Sequence, residues 1–155
     1  MATRRSHVLS CWRRFFSRSV DEAVKKHVVL DMVVFSYLNR PIIDVTVEGS
    51  GGLVSGAYPE TGKTTLCGVK FFLGAKSVTW RIDGPKGAAR NGELVENKNP
   101  VVLEQTQPGA RYLAVHIYSD STVELSTSIH FPDRTSRGEA EAASRDMQSK
   151  IQKLE

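Results

Sequence analysis

Hydrophobic and polar residues alternate along much of the middle of the chain, with the period of two that is typical of β-strands. Ile43, Val45 and Val47 point one way and the polar residues between them point the other, so residues 42–48 are predicted to be a half-buried strand. The run 28–35 is dense in β-branched side chains and predicts a mostly buried strand. Similar patterns predict further strands at residues 65–73, 77–83, 100–105, 111–118 and 122–131.

Turn residues separate these strands. The short segment Ser119–Ser121 predicts a β-hairpin between the last two strands. Its facing positions are expected to be Leu113, Val115 and Ile117 against Val123, Leu125 and Ile129. The glycine-rich segment 49–63 and the polar segment 84–99 predict two loops.

The two ends of the chain have a different, helical pattern. Residues 6–26 carry an apolar stripe at steps of three and four, with arginines on the other side, and predict an amphipathic helix. Residues 136–155 are rich in helix-forming residues and have three apolar anchors, which predicts a short docking helix or a frayed tail. The anchors of the two segments are Val8, Trp12, Phe15, Phe16, Val20 and Val24, and then Met147, Ile151 and Leu154.

The predicted fold class is therefore mainly β. No helix-length segment lies between the strands, so parallel βαβ units are not expected. We predict a mainly antiparallel β-sandwich of about seven strands with an N-terminal and a C-terminal helix. The expected organisation is a basic helical arm at 1–26, a sandwich domain at 27–133 and a helix or tail at 134–155.

Charge is concentrated in the arm. The chain has 155 residues and a net charge of +4, but residues 1–27 contain seven basic and two acidic residues, a net of +5. The other 128 residues contain 14 basic and 15 acidic residues, a net of −1. Nucleic-acid binders spread basic residues over the folded surface, so no nucleic-acid partner is expected. The arm either packs on the domain, as most amphipathic helices do, or lies on an anionic membrane.

The sequence as given predicts a cytoplasmic protein. A secretory leader needs about 7–15 apolar residues after its basic start, and here only Val8 and Leu9 follow. The segment Val8–Cys11 is faintly similar to a lipoprotein cleavage site. A start of translation further upstream would instead predict a periplasmic protein.

No set of residues predicts a cofactor, a metal or a reaction. Cys11 and Cys67 are predicted to be unpaired thiols, with a single bridge left open, and Cys67 is expected to be a small core group. His116 and His130 share a predicted strand face with Glu124, which leaves a two-histidine site open, but a catalytic zinc site usually needs three ligands. We therefore predict that the protein is not an enzyme.

One segment matches a relaxed nucleotide-binding loop. Residues 57–64, which end in Gly62-Lys63-Thr64, have its spacing with Ala57 in place of the first glycine. That loop must open a helix in order to hold phosphates, whereas a strand is predicted from Thr65. The match is interpreted as a chance one.

Aromatic and arginine side chains in the loops remain as candidates for a partner-binding surface, because such residues dominate protein interfaces. The predicted contact residues are Tyr37, Arg40, Tyr58, Trp80, Arg81 and Arg90.

Four short stretches carry a family resemblance. The segment 36–42 (SYLNRPI) is similar to an aromatic-turn-Arg-Pro-Ile segment, and 47–52 (VEGSGG) to a glycine-rich turn. Residues 65–69 with Val78-Thr79-Trp80 resemble a cysteine strand and a tryptophan strand, and 113–120 a C-terminal strand and turn. In these respects the chain resembles an uncharacterised bacterial domain family of small, often lipoprotein-like proteins encoded beside type VI secretion phospholipase effectors.

This resemblance implies a function that the residues alone do not. Members of the family are candidate immunity proteins. The implied function is therefore direct binding and neutralisation of a cognate effector, a phospholipase. The alternative expectation is a peripheral membrane or scaffold protein that is anchored by residues 1–26.

Overall fold

The computed structural model of the protein describes residues 26–104 and 106–155. Within these residues the fold is mainly β, with ten strands followed by one helix. The elements are β1 (His27–Ser36), β2 (Ile42–Val47), β3 (Ser50–Ser55), β4 (Thr65–Phe72), β5 (Gly74–Lys76), β6 (Val78–Ile82), β7 (Leu94–Glu96), β8 (Val101–Leu103), β9 (Tyr112–Ile117), β10 (Val123–Ser128) and α1 (Ser136–Leu154).

The first sheet has the strand order β10-β9-β1-β4, with β1 and β9 at its centre. These two central strands are parallel, with Asp31 beside Tyr112 and Ser36 beside Ile117, whereas the outer pairs are antiparallel. Residues 37–111 connect β1 to β9 and contain the whole second sheet. This parallel pair needs no connecting helix, because strands of the other sheets lie in the connection between β1 and β9.

The second sheet has the order β3-β2-β6-β7, with every pair antiparallel, and β5 pairs with β8 in a small third sheet. The largest core cluster combines side chains from both four-stranded sheets. From β1 it takes Leu30, Met32 and Val34, whereas Val33 and Phe35 enter a second cluster on the opposite face. β1 is thus buried on both faces over this stretch, which explains its continuous apolar run.

All seven predicted strands are present, and three more were missed. β5 and β7 are only three residues long, too short for a periodic pattern. β3 lies inside the predicted 49–63 loop and pairs with β2 across a two-residue turn. Glu48 and Gly49 in that turn both have positive φ, 51° and 77°, as a type I′ hairpin requires.

The predicted hairpin between the last two strands is confirmed, but one of its facing residues is wrong. Val123 lies opposite Ile117 and Leu125 opposite Val115, as expected. Leu113 lies opposite Thr127 rather than facing Ile129. β10 ends at Ser128, so Ile129 falls beyond the strand and is 41% exposed.

The prediction that Cys67 is a core residue is wrong, because a β-bulge turns it outward. The register of β1 against β4 shifts between Leu30 and Met32, opposite Cys67 and Gly68. Gly68 has a φ of 68°, and its N–H donates to Asp31 Oδ1 at 2.9 Å. The extra residue breaks the alternation of β4 and leaves the Cys67 side chain exposed.

The C-terminal helix is confirmed and docks through its first two turns. Its buried residues are Gly138 and Ala142, whereas the three apolar anchors predicted in its second half are exposed. The N-terminal helix predicted at 6–26 lies outside the described residues, apart from Lys26, which is not helical. In the part of the chain that the structure describes, no helix combines the length and the apolar character needed to cross a membrane.

Candidate functional site

A cluster of aromatic rings covers the outer face of the first sheet. Phe35 and Tyr37 extend from the end of β1, and His116 and Tyr118 from the end of β9. The Tyr37 ring is stacked 5.3 Å from the Tyr118 ring and 6.0 Å from the His116 ring, measured between centroids. We call these four residues and the adjacent Tyr58 the aromatic cluster.

Hydrogen bonds connect this cluster to the start of α1. The Tyr118 hydroxyl donates to Glu124 Oε2 at 2.8 Å and lies 2.9 Å from Thr135 Oγ1. The Thr135 N–H donates to the Tyr37 hydroxyl at 2.8 Å. The Tyr37 hydroxyl lies 3.0 Å from His116 Nδ1, and because it already accepts from Thr135 we assign its proton to that contact.

His116 is held neutral in this environment. Its side chain is 1% exposed, and burial lowers its pKa to about 4, although the nearby Glu124 carboxylate opposes the shift. If Nδ1 accepts from Tyr37, the single proton of the neutral ring is on Nε2, which lies 3.5 Å from Ser126 Oγ. In this tautomer His116 has no free nitrogen with which to take a proton from Ser126. The Ser126–His116 pair therefore lacks the arrangement of a nucleophile and its base.

The same residues explain how the helix is held. Thr135 Oγ1 accepts from the Gly138 N–H at 3.1 Å and so caps the helix N-terminus. The guanidinium carbon Cζ of Arg137 lies 3.8 Å from the centroid of the Tyr118 ring, and that of Arg134 lies 5.0 Å from the centroid of the Tyr58 ring. The aromatic cluster is thus the docking surface of α1, and its polar groups are used within the molecule.

The predicted contact residues fall into two groups in the structure. Tyr37 and Trp80 have no exposed surface, so their side chains belong to the interior. Tyr58 is half-buried beside Tyr37 and beneath Arg134. The other three, Arg40, Arg81 and Arg90, meet at the segment 83–93, which we call the arginine loop.

Arg40 holds this loop in place. Its Nε–H donates to the carbonyl of Asp83 at 3.1 Å, Nη1 to the carbonyl of Ala89 at 2.5 Å, and Nη2 to Asn91 Oδ1 at 2.7 Å. Gly84 lies directly beneath the guanidinium, since a Cβ at that position would be 2.9 Å from Arg40 Nη2. One arginine thus fixes both ends of the loop.

Arg81 and Arg90 lie on the outer surface of the same loop. Arg81 donates to the carbonyl of Gly92 at 3.0 Å, and Arg90 makes two hydrogen bonds of 2.8 and 2.9 Å to the Glu93 carboxylate. The hydrogen bond from Arg90 lowers the pKa of Glu93. Leu94 lies directly opposite Arg81 on the neighbouring strand and is 56% exposed. The surface of the loop therefore combines two arginines with an exposed leucine beside one of them.

The two-histidine site that the sequence left open is not assembled. His116 lies opposite Glu124 on neighbouring strands, whereas His130 is exposed beyond the end of β10. Among residues 26–104 and 106–155, no three histidine, cysteine or acidic side chains are close enough together to hold a metal ion.

The segment that is similar to a nucleotide-binding loop, residues 57–64, is followed by a strand, as predicted. Thr65–Phe72 is a strand, and Lys63 forms an ion pair with Glu60. The helix N-terminus that would hold phosphates therefore does not follow this loop.

Sequence reasoning missed Arg134, Arg137 and Leu94. Arg137 lies in the first turn of the predicted helix, and Arg134 precedes its N-cap, Thr135. No local signal placed either arginine over a tyrosine ring. Leu94 lies in a segment that looked uniformly polar.

Comparisons of the chain with protein-family models, with curated proteins and with solved structures gave no match. The family resemblance described above therefore rests on its four sequence segments alone.

Proposed function

We propose that this protein is a non-enzymatic binding protein and that it contacts a partner protein through the surface formed by Arg81, Arg90 and Leu94. The observation that carries the proposal is the meeting of three arginines at one loop, with the exposed Leu94 directly opposite Arg81. Arginine is one of the residue types that dominate binding energy in interfaces, and surrounding contacts support it by excluding water.

The way the loop is held supports this role. Arg40 fixes the loop through three hydrogen bonds, so the surface is ordered before a partner arrives. Pre-ordering reduces the conformational entropy lost on binding. The ion pair between Arg90 and Glu93 is exposed and therefore weak, so a partner carboxylate can replace Glu93 at small cost.

The resemblance supplies the partner. Arg40 lies within the segment 36–42 that is similar to the bacterial family encoded beside phospholipase effectors. We therefore propose that the partner is a cognate type VI secretion lipase and that binding neutralises it, as an immunity protein does.

We also infer that the two four-stranded sheets pack face to face as a β-sandwich. In support, Met32 and Leu113 of the first sheet share a core cluster with Val45 and Trp80 of the second. This architecture places loops at the margins of a rigid core, where binding surfaces are common.

The test is co-expression with the lipase encoded beside the gene, followed by gel filtration. We expect growth to be rescued and a complex to elute. Arg90→Glu is expected to weaken the complex by at least about tenfold, because it reverses the charge of one of the two arginines that form the surface. Lys70→Glu makes the same change in net charge on a distant strand and is expected to leave the complex intact.

Two results would contradict the proposal. If the unaltered chain neither rescues growth nor forms a complex, the lipase is not its partner. If Arg90→Glu leaves the complex intact, or if Lys70→Glu weakens it equally, the arginine loop is not the contact surface.

A second candidate function rests on the charge of the arm. A net charge of +5 within 27 residues suits attachment to an anionic membrane. In this case the full chain floats with anionic vesicles at low salt, and replacement of Arg13, Arg14 and Arg18 by glutamine abolishes flotation. Equal flotation of the two proteins would show that the arm does not anchor the chain to the membrane.

A further inference from the structure

A cavity of about 730 Å³ lies at the start of β1, away from the arginine loop. The end of β4, the start of β5 and the β2–β3 turn form its walls, so all three sheets contribute to it. Cavities of roughly 300–1,000 Å³ are the usual size for small-molecule sites. The volume of this cavity falls within that range.

The polar lining of this cavity is cationic. Lys26, Lys70 and Lys76 line it, and Glu48 is the one acidic residue among the described residues that do so. Glu48 Oε1 already accepts from the Ser77 N–H at 2.7 Å. Among the ion pairs of the described residues, none includes Lys70 or Lys76. The cavity therefore has uncompensated positive charge.

The remaining lining is apolar. Val47 and Phe71 are buried and form the floor, and Phe72 is 44% exposed at the rim. Lys70 Nζ lies 5.2 Å from the centroid of the Phe72 ring, which places a cation and an apolar surface side by side. A ligand that satisfies both must carry an anionic head and a hydrocarbon body.

We propose that this cavity binds a single-chain anionic amphiphile, with its head between Lys70 and Lys76 and its chain against Phe72 and the buried floor. A fatty acid and a monoalkyl phosphate are two sources of this chemistry. The charge of the lining selects the head, because the ammonium groups form stronger, charge-assisted hydrogen bonds with an anion than with an alcohol. None of the residues that line the cavity belongs to the arginine loop, so the ligand and the proposed partner would contact different residues.

Isothermal titration of the full chain with dodecanoate, dodecyl phosphate and dodecanol tests this proposal. We expect saturable 1:1 binding of one or both anions and binding of dodecanol at least about tenfold weaker, since loss of the charge removes the ion pairs. The stronger of the two anions identifies the preferred head group. Binding of that anion is also expected to weaken as NaCl is raised, because salt screens exposed charges.

Two variants locate the ligand. The double variant Lys70→Glu, Lys76→Glu is expected to weaken anion binding by at least about tenfold, because it replaces attraction by repulsion at both positions. Arg90→Glu serves as the control and is expected to bind the anion normally. Thermal unfolding of each variant checks that it is folded, and the milder pair Lys70→Gln and Lys76→Gln replaces the double reversal if that variant does not fold.

Three outcomes overturn the proposal. The first is no saturable binding by the full chain, which is also the result expected if residues 1–25 occupy the cavity. The second is equal affinity for dodecanoate and dodecanol. The third is an effect of Arg90→Glu as large as that of the lysine variants. Loss of effector binding by Arg90→Glu with normal anion binding leaves the two proposals separately supported.

Discussion

At the scale of single residues, Gly138 shows how a contact can outweigh helix propensity. It lies in the first turn of α1, and a Cβ there would overlap the ring of Tyr37. Alanine normally stabilises a helix by about 1 kcal/mol relative to glycine. Here the ring is held by stacking and hydrogen bonds and has no room to move, so the glycine is required by packing.

We therefore expect Gly138→Ala to lower the free energy of unfolding by about 1 to 3 kcal/mol, the usual range for overpacking. Urea unfolding measures the change. Ala143→Gly, at an exposed position of the same helix, calibrates the propensity term and is expected to destabilise by about 1 kcal/mol. A Gly138→Ala protein more stable than the parent would show that α1 does not pack on Tyr37 as described.

His116 makes stability depend on pH. Its pKa is lowered by burial from the ordinary 6.5 to about 4, so the unfolded chain takes up a proton before the folded chain does. The contribution of neutral His116 to the free energy of unfolding is therefore complete above about pH 6.5. It decreases as the pH is lowered towards 4. Between pH 7 and pH 4.5 this residue alone is expected to remove about 2 to 3 kcal/mol.

The variant His116→Asn isolates this contribution, because asparagine accepts a hydrogen bond from Tyr37 but does not titrate. Urea unfolding of both proteins at pH 7 and pH 4.5 gives the comparison. The parent should lose more stability than the variant over this interval. Equal losses would mean that His116 is not buried in its neutral form.

The residue scale is also where sequence reasoning was weakest. Tyr37 and Trp80 were predicted as contact residues because their side chain types favour interfaces, yet both are fully buried. Tyr37 follows the end of β1 and is covered by α1, which is about 100 residues further along the chain. No local sequence pattern around Tyr37 indicates that a helix so distant in sequence will bury it.

At the scale of elements, the arginine loop depends on one side chain from another turn. Arg40 makes three hydrogen bonds to it, and such bonds are each worth roughly 0.5–1.5 kcal/mol net. We expect Arg40→Ala to speed tryptic cleavage after Lys86 and Arg90 by about 10- to 100-fold, because the loop opens more often.

Limited proteolysis with mass spectrometry measures this rate. Arg111→Ala removes an exposed arginine outside the loop and is expected to leave cleavage at Lys86 and Arg90 unchanged. If Arg40→Ala is cleaved no faster than Arg111→Ala, then Arg40 does not hold the loop.

Elements with a clear period were predictable, and the others were not. The alternation at 42–48 and the apolar run at 28–35 gave β2 and β1 nearly to the residue. β3 begins with Ser50-Gly51-Gly52, which is poor strand sequence, and it exists because a tight turn folds it back onto β2. Pairing with a neighbour, rather than propensity, determines such a strand.

At the scale of the whole molecule, β1 and β9 are the strands with the most support. Each is hydrogen-bonded on both sides and contributes side chains to both core clusters. The second half of α1 has the least support, since none of its residues beyond Ala142 is buried. The free energy of local opening should therefore be high in β1 and β9 and low near the C-terminus.

Hydrogen exchange followed by mass spectrometry measures this gradient. We expect the amides of β1 and β9 to be the most protected and those of residues 147–154 to exchange several orders of magnitude faster. Protection of 147–154 as strong as that of β1 would show that its apolar side chains are covered in solution.

The parallel pairing of β1 with β9 was outside the reach of the sequence. The hydrophobic pattern of the sequence identified both strands. A period of two does not show which strands become neighbours in a sheet. The order β10-β9-β1-β4 depends on how the 75 residues between β1 and β9 fold, since they supply β4 to this sheet and also form the other two sheets. Strand order is thus a property of the assembled core.

The shortness of β6 has a consequence for how the protein can be regulated. Lys76, which lines the cavity, precedes this strand, and Arg81, which donates to the arginine loop, is its fourth residue. Five residues span at most about 18 Å. If the cavity binds an amphiphile and Arg81 contacts a partner, the two sites are therefore close enough along one strand for binding at one to alter the affinity at the other.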